Sequence, residues 1–370
     1  MVSVGVAALR GYVAAILRAK GTPEHIADVV AESLVLSNQR GHASHGFIRV
    51  SQYCDWIDRG WTRPTGEPER YGDRPHVVQV DGHFGFGQYV GRLATDWAIE
   101  RARGGHCVLT IKRSGHLGRM GEFMEQAAAA GLVCFSFTNT HGGGLVTAPF
   151  GGAERRLSAN PLAAGAPLPA AAPGTADASP AAASGVDPSE PPAPSASLMM
   201  DIATSSIAAG KVDVAAARGE QLAPGHLVNT HGQPSIDPAD YRGGGALLPF
   251  GGHKGYCLAM FCEVLAGALT GAGCSTTGID RVANGFLALF LDPAAFCGEE
   301  FYQREVGALV PHVKSAPLMQ GHDEILYPGE LEARSEARHT DTVVIEEANW
   351  ERTARVAKTL GVTPPTVARA

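Results

Sequence analysis

The chain reads as an α/β protein, of the α+β-like kind, in which a helical opening segment precedes strands and helices in mixed order. Two observations lead there. Apolar positions recur at helical spacing through the first 60 residues. From Pro75 onward, short β-branched and aromatic runs such as HVVQV, HCVLTI and FLALFLD alternate with helical stretches. At 370 residues and 45% hydrophobic content the chain can bury a full core, and two lobes are expected.

The elements follow in order. Residues 4–20 read as a helix closed by Gly21, and Thr22-Pro23 offers an N-cap and first-turn proline for a second helix reaching Arg40. A third helix is expected over 45–59, stopped by Gly60. Strands are expected at 76–80, 106–111, within LVCFSFTN, in LMMDIATS and at 286–292, with another at TVVIEE. Helices are expected over GQYVGRLATDWAIERAR, 117–130, 207–218, the apolar run up to Ala268, and 350–361. Residues 168–197 hold ten Ala and seven Pro in thirty positions, too little apolar bulk to offset chain entropy, and are expected to form a flexible surface insertion.

Composition removes several functional classes. A formal charge of −7 offers no basic field to nucleic acid or anionic lipid. The seven cysteines are odd in number and contain no CxxC pair, which reads as reduced thiols in a cytoplasmic protein without a zinc framework. No run of 18 apolar residues predicts a membrane span, and the N-terminus lacks a signal-peptide pattern. There is no GxxxxGK[ST], GxSxG or HExxH.

GFGQYVG (85–91) follows a strand and opens a helix, like a dinucleotide phosphate loop, but its GxGxxxG spacing is one residue too long. Lys112-Arg113 ends the next strand where an NAD-binding chain would carry an acid, so a Rossmann NADP site stays open as a rival. A plain strand–turn–helix connection is the preferred reading.

GHASHGFIR (41–49) sets a hydroxyl (Ser44), an imidazole (His45) and a guanidinium (Arg49) within six residues. On a continuous helix His45 and Arg49 share a face, a proton donor beside a bidentate carboxylate clamp. The plain alternative is a helix start with polar decoration. Adjacent Ser44 and His45 on a helix would point about 100° apart, which disfavours a Ser–His hydrolytic pair. Three further segments carry candidate chemistry: SGHLG with His116, MDIATSS with Asp201, and LLPFGGHKGY with His253 and Lys254. Each has a plain reading too, as a capping histidine, a helix cap and a surface charge.

In this order and spacing the segments resemble the type-2 malate/lactate dehydrogenase family, which includes sulfolactate and ureidoglycolate dehydrogenases and the Δ1-piperideine-2-carboxylate/Δ1-pyrroline-2-carboxylate reductases. The likeness spans residues 5–365 and is strongest at SHG (44–46), SGHLG (114–118), NT (139–140), ANP (159–161), DIATS (201–205) and GGHKGY (251–256).

The resemblance implies a non-Rossmann, mixed and largely antiparallel sheet that binds NAD or NADP, joined to a helical lobe, in a homodimer. It divides the chain into a helical substrate and dimerisation lobe (1–75 with 310–370) and a cofactor lobe (76–309). It makes His45 the proton donor or acceptor, oriented and polarised by Ser44 and Asp201, and Arg49 the holder of the substrate carboxylate. His116, with Leu117 and Gly118, matches a cofactor-contact segment, and His116 matches an acid/base position in the ureidoglycolate branch. Asn139, Thr140, Thr204, Ser205, His253, Lys254 and Gly255 match cofactor-contact positions. Departures are Ala159 for a usual threonine, Cys257 for a usual glycine, and the 168–197 insertion.

The chemistry expected is hydride transfer between nicotinamide and C2 of a 2-oxo/2-hydroxy acid, with His45 exchanging the proton near neutral pH. Asp201 beside His45 would raise its pKa and set its tautomer. The alternative substrate is a cyclic imino acid reduced with NADPH. Remoter readings are a metal-dependent hydrolase using His42, His45, His116 and His141, and a non-catalytic family member. The expected partner is a small carboxylate.

Overall fold

A computed structural model describes residues 1–72, 74–169 and 197–369, apart from the side chain of Ala217. The insertion expected over 168–197 falls almost wholly outside the described residues. The chain opens with β1 (Val2–Gly5), α1 (Val6–Ala19), α2 (Glu24–Gln39) and α3 (Arg49–Asp58). A βαβ unit follows a short edge strand: β2 (Glu69–Arg70), β3 (Val77–Asp81), α4 (Gly87–Ala102) and β4 (His106–Ser114). Next come α5 (Gly121–Ala129), β5 (Val133–Gly142), β6 (Leu162–Pro167), β7 (Ser197–Ile202) and α6 (Ala209–Arg218). A small sheet, β8 (Leu227–Val228), β9 (Pro234–Ser235) and β10 (Ala246–Leu247), encloses α7 (Pro238–Arg242) in sequence. The remainder is α8 (His253–Cys262), β11 (Val282–Leu291), α9 (Glu299–Lys314), α10 (Glu330–Arg338), β12 (Thr342–Ile345), α11 (Glu347–Thr359) and β13 (Ala368–Arg369).

The main sheet has seven strands in the order β2-β3-β4-β11-β5-β6-β7. Only β3 and β4 run parallel, joined by the α4 crossover; every other pairing in that sheet is antiparallel. The expected mixed, largely antiparallel sheet is therefore the one observed. It lacks the repeated parallel crossovers that build a Rossmann crevice.

Among the described residues four apolar clusters form: two small ones, around Leu227 and around Ala148, and two main cores. One packs Leu9, Ile16 and Leu17 of α1 with Ile26 and Leu34 of α2, and takes in Tyr53, Phe86, Ile345 and Trp350. The other lies under the main sheet, around Leu109, Ile111, Phe123, Met124, Phe286 and Phe290. Burying each such side chain stabilises the fold by about 2 kcal/mol.

Several expected boundaries move. The first helix starts at Val6 rather than at residue 4, because residues 2–5 form a strand paired with Thr342–Ile345 from the far end of the chain. Thr22 is not a cap: Pro23 occupies that position, and the Thr22 hydroxyl is buried without a partner among the described residues. The apolar helix leading to Ala268 leaves α-geometry at Glu263 and runs as a π-helix over Glu263–Ala268. Helices α9 and α10 were not expected. No residue of α9 is buried.

Candidate active site

His45 lies on a 3-10 turn, Ala43–His45, and not on the helix expected over 45–59, which begins only at Arg49. Asn38 at the end of α2 explains the break. Its Oδ1 accepts the Phe47 N–H at 2.7 Å. A Cβ at Gly46 would come 2.1 Å from that same oxygen, so a larger residue there would have to displace the Asn38 side chain that makes this turn. The turn brings Ser44 Oγ within 3.0 Å of His45 Nδ1, which the helical geometry had seemed to forbid. Arg49 still reaches the same place. Its Nε donates to the Ser44 carbonyl at 2.7 Å and its Nη1 to Gln52 Oε1 at 2.7 Å.

His116 lies in the loop after β4, since α5 starts at Gly121 rather than near Leu117. Asn284 Oδ1 accepts the Leu117 N–H at 2.9 Å, and the Gly85 carbonyl accepts the Gly115 N–H at 2.9 Å. A Cβ at Gly87 would come 2.3 Å from the His116 carbonyl. The GFGQYVG glycines thus let two loops touch backbone to backbone. Lys112 and Arg113 are likewise engaged at Asp81: Lys112 Nζ stands 3.8 Å from it, and Arg113 Nε donates to it at 2.9 Å. The plain reading of this motif is the structural one.

The His45 and His116 rings stack, with centroids 5.6 Å apart and planes 11° from parallel. Both are half-buried. Burial, followed by the charges of Arg49, His42 and Arg119, pushes His45 down to about 3. His116 is held well below its ordinary value by burial, then by Arg49 and His45. Both imidazoles are therefore neutral at neutral pH. Burial also lowers the Arg49 pKa, and no carboxylate faces this guanidinium among the described residues. A desolvated cation without a counter-ion is a receptor for a carboxylate.

Asp201 does not sit as expected. Its Oδ2 accepts the Gly121 N–H at 2.8 Å, at the start of α5, and no hydrogen bond joins it to His45 among the described residues. Burial raises its pKa, against the pull of that N–H, Arg119 and His42. The expectation that Asp201 raises the His45 pKa is overturned, because desolvation and nearby cations move His45 the other way. Behind Asp201, fully buried Arg119 donates to both oxygens of Glu125, at 3.1 and 2.6 Å, and Arg40 pairs with the same carboxylate.

The remaining predicted residues form two groups. Asn139 is fully buried: its amide donates to the Gly273 carbonyl at 2.8 Å and to Glu263 at 3.2 Å, and its Oδ1 accepts the Gly285 N–H at 3.1 Å. All the side-chain groups of Asn139 are thus committed within the protein. Thr140 is half-buried and accepts from Asn284 Nδ2 at 3.1 Å. Thr204 and Ser205 are buried and bond to the Ala159 and Ile207 carbonyls, each at 2.9 Å. The Thr204 carbonyl accepts the Phe250 N–H at 3.0 Å, which ties the DIATS turn to the GGHKGY loop.

That loop opens α8, whose Gly252 N-cap makes no side-chain hydrogen bond, and His253 and Lys254 are exposed there. Lys254 has no ion-pair partner among the described residues, while Gly255 is buried. The Lys254 and Gly255 N–H groups are taken by the Gly251 and Phe250 carbonyls, so what this helix N-terminus offers is its dipole and the Lys254 ammonium; those suit a pyrophosphate, and the donor set fits a nicotinamide dinucleotide.

Three contributors were missed. Tyr53 Oη lies 2.8 Å from His116 Nδ1, Gln88 Nε2 donates to that oxygen at 2.6 Å, and Asn284 anchors the His116 loop. Tyr53 stands at i+4 from Arg49, a usable signal; Gln88 and Asn284 offered none. The four histidines of the hydrolase reading do not converge. His42 faces Glu332 at 3.4 Å, and His141 Nδ1 stands 3.0 Å from the Cys274 carbonyl.

Fold and motif order together define an oxidoreductase class built on a non-Rossmann sheet. The chain belongs to the malate/L-lactate dehydrogenase family, whose model matches residues 4–187 and 181–353. It is 40% identical to an L-lactate dehydrogenase of Cupriavidus necator, over 95% of this chain and 96% of that one. Its fold is similar to that of sulfolactate dehydrogenase from Methanocaldococcus jannaschii, with a TM-score of 0.82, 28% identity, and 98% of each chain covered. It is also similar to Δ1-piperideine-2-carboxylate reductase from Pseudomonas syringae, with a TM-score of 0.76, 30% identity, and coverage of 96% of this chain and 99% of that one.

Proposed function

We propose that this protein is an NAD(P)-dependent dehydrogenase acting between a 2-hydroxy acid and its 2-oxo acid. The observation that carries the reading is Arg49, a desolvated guanidinium without a carboxylate partner among the described residues, beside two stacked neutral imidazoles. The α8 N-terminus with His253 and Lys254, and the 204–205 turn, would hold the dinucleotide, which supplies the hydride acceptor or donor when bound.

The chain's own groups do the rest. Arg49 grips the substrate carboxylate and sets C2 in register, an orientation effect. His45, its Nδ1 engaged by Ser44, takes the 2-hydroxyl proton at Nε2 during oxidation and returns one during reduction. The incoming carboxylate offsets the charge of Arg49, one of the forces that depress the His45 pKa, so His45 accepts that proton more readily in the complex than in the free protein. Asp201 orients the site through Gly121 and the start of α5.

A second reading, NADPH-dependent reduction of a cyclic imino acid, is supported by the likeness to the piperideine-carboxylate reductase. It uses the same Arg49 and His45. We also propose the lobe division 1–75 with 310–370 against 76–309, supported by the two cores, and a cytoplasmic homodimer. Phe261 on α8 and Leu269 just past its π-helical extension, 61% and 66% exposed, supply an apolar surface for a second copy. No helix among the described residues is long and apolar enough to cross a membrane.

The test is NADH and NADPH oxidation with pyruvate, oxaloacetate, sulfopyruvate and Δ1-piperideine-2-carboxylate, for the wild type and His45→Ala. Turnover with one substrate, lost about 10²–10⁴-fold in His45→Ala with cofactor binding intact, supports the reading. Full turnover in the variant removes His45 from its role, and inactivity with the whole panel favours a non-catalytic family member.

A further inference from the structure

We propose that Tyr53 and Gln88 are positioning residues that fix His116 as the Nε2–H tautomer. Of the two stacked imidazoles, His116 then donates a hydrogen bond while His45 exchanges the proton. The second half of this assignment rests on the dehydrogenase reading; the tautomer itself does not.

A phenol oxygen carries one proton and two lone pairs. Gln88 Nε2 donates into the Tyr53 oxygen at 2.6 Å, which occupies one lone pair. The other neighbour of that oxygen is His116 Nδ1 at 2.8 Å. The Tyr53 proton has that nitrogen to point at, so Nδ1 accepts and the neutral ring carries its hydrogen on Nε2. Burial pushes the phenol up to about 12, so the proton stays on Tyr53 throughout the working pH range. Both positioning groups are buried, Gln88 at 0% and Tyr53 at 2% exposure, so water does not compete for the relay.

The rest of the environment supports a neutral, oriented ring. Trp56 meets His116 edge-on with centroids 6.2 Å apart, and His45 covers its face. An imidazolium at His116 would put an Nδ1–H against the Tyr53 proton and would stand near the Arg49 charge. His45 is held differently, through Ser44, a hydroxyl that can either donate to Nδ1 or accept from it. That freedom lets His45 change protonation state while His116 keeps one tautomer.

The experiment is ¹⁵N NMR of the full chain labelled with ¹⁵N-histidine, the His116 signals being assigned by their loss in His116→Gln. In the wild type His116 should show a protonated Nε2 and a bare Nδ1 across pH 6–8. Tyr53→Phe should convert that pattern to a mixture of tautomers and lower kcat about tenfold or more, with little change in cofactor KM, as loss of a histidine's correct tautomer does elsewhere. A wild-type His116 protonated on Nδ1, or an unchanged pattern in Tyr53→Phe, overturns the proposal. The wild-type spectrum needs neither a folded variant nor a turning-over substrate. Failure of the dehydrogenase reading, seen in the substrate panel, therefore remains distinguishable from failure of this one.

Discussion

The His45 and His116 rings lie 11° from parallel with centroids 5.6 Å apart, one anchored through Ser44 and the other through Tyr53. Two imidazoles that close beside Arg49 cannot both carry a proton cheaply, and the shared pocket keeps both neutral.

The pH dependence should be one-sided. His45 is held at about 3 against an ordinary 6.5, so as a base it is already deprotonated in the free protein throughout pH 5–8. kcat/KM for 2-hydroxy acid oxidation should show no acid limb from His45 in that range. For reduction, kcat/KM should fall about tenfold per pH unit as the protonated fraction shrinks. An oxidation profile that drops below an apparent pKa near 6.5 would count against the buried, cation-flanked His45.

The same shift links to stability. Between about 3 and 6.5 the unfolded chain binds a proton at His45 that the folded chain does not. The contribution is complete above 6.5 and is lost as pH falls below it. His45→Gln should therefore raise the urea midpoint relative to wild type at pH 5 by more than at pH 7.5.

Arg49→Lys keeps the charge but loses the planar fork and the tether to the Ser44 carbonyl. Steady-state kinetics should show kcat/KM for the carboxylate substrate reduced about 10²-fold, with the cofactor Kd unchanged. Equal losses toward both ligands would move Arg49 out of the substrate subsite.

Lys254→Ala should weaken dinucleotide binding about tenfold, the worth of one charge-assisted hydrogen bond at a partly exposed site. Fluorescence titration with NADH and NADPH at two salt concentrations reads this directly. The salt dependence should diminish in the variant, because an exposed ammonium is screened.

Glu125→Gln should destabilise the fold by about 3 kcal/mol in urea unfolding. It removes the counter-ion of Arg119, 1% exposed, and one partner of Arg40, leaving a buried guanidinium uncompensated. A change below about 0.5 kcal/mol would mean that Asp201 or solvent takes over the charge.

Much of the fold was legible in the sequence because its signals are local. Helices α1, α2 and α4 and strands β3, β4, β5 and β11 follow from apolar spacing within windows of ten to twenty residues. The site motifs were legible for the same reason: Ser44, His45 and Arg49 lie in one stretch, and His116 beside its glycines in another.

What the sequence determined by itself was which residue types stand near one another along the chain: a hydroxyl, an imidazole and a guanidinium within six residues, in an order of motifs shared with one enzyme family. Tertiary structure alone decided their states. It made residues 2–5 a strand by offering Thr342–Ile345 as a partner, and committed Asp201 to the Gly121 N–H. It also brought Gln88 and Tyr53 behind His116, and held His45 neutral by desolvation. The reason is physical. Local propensity depends on neighbours in sequence, whereas protonation, tautomer and hydrogen-bond partner depend on what packs against a side chain from segments tens or hundreds of residues away.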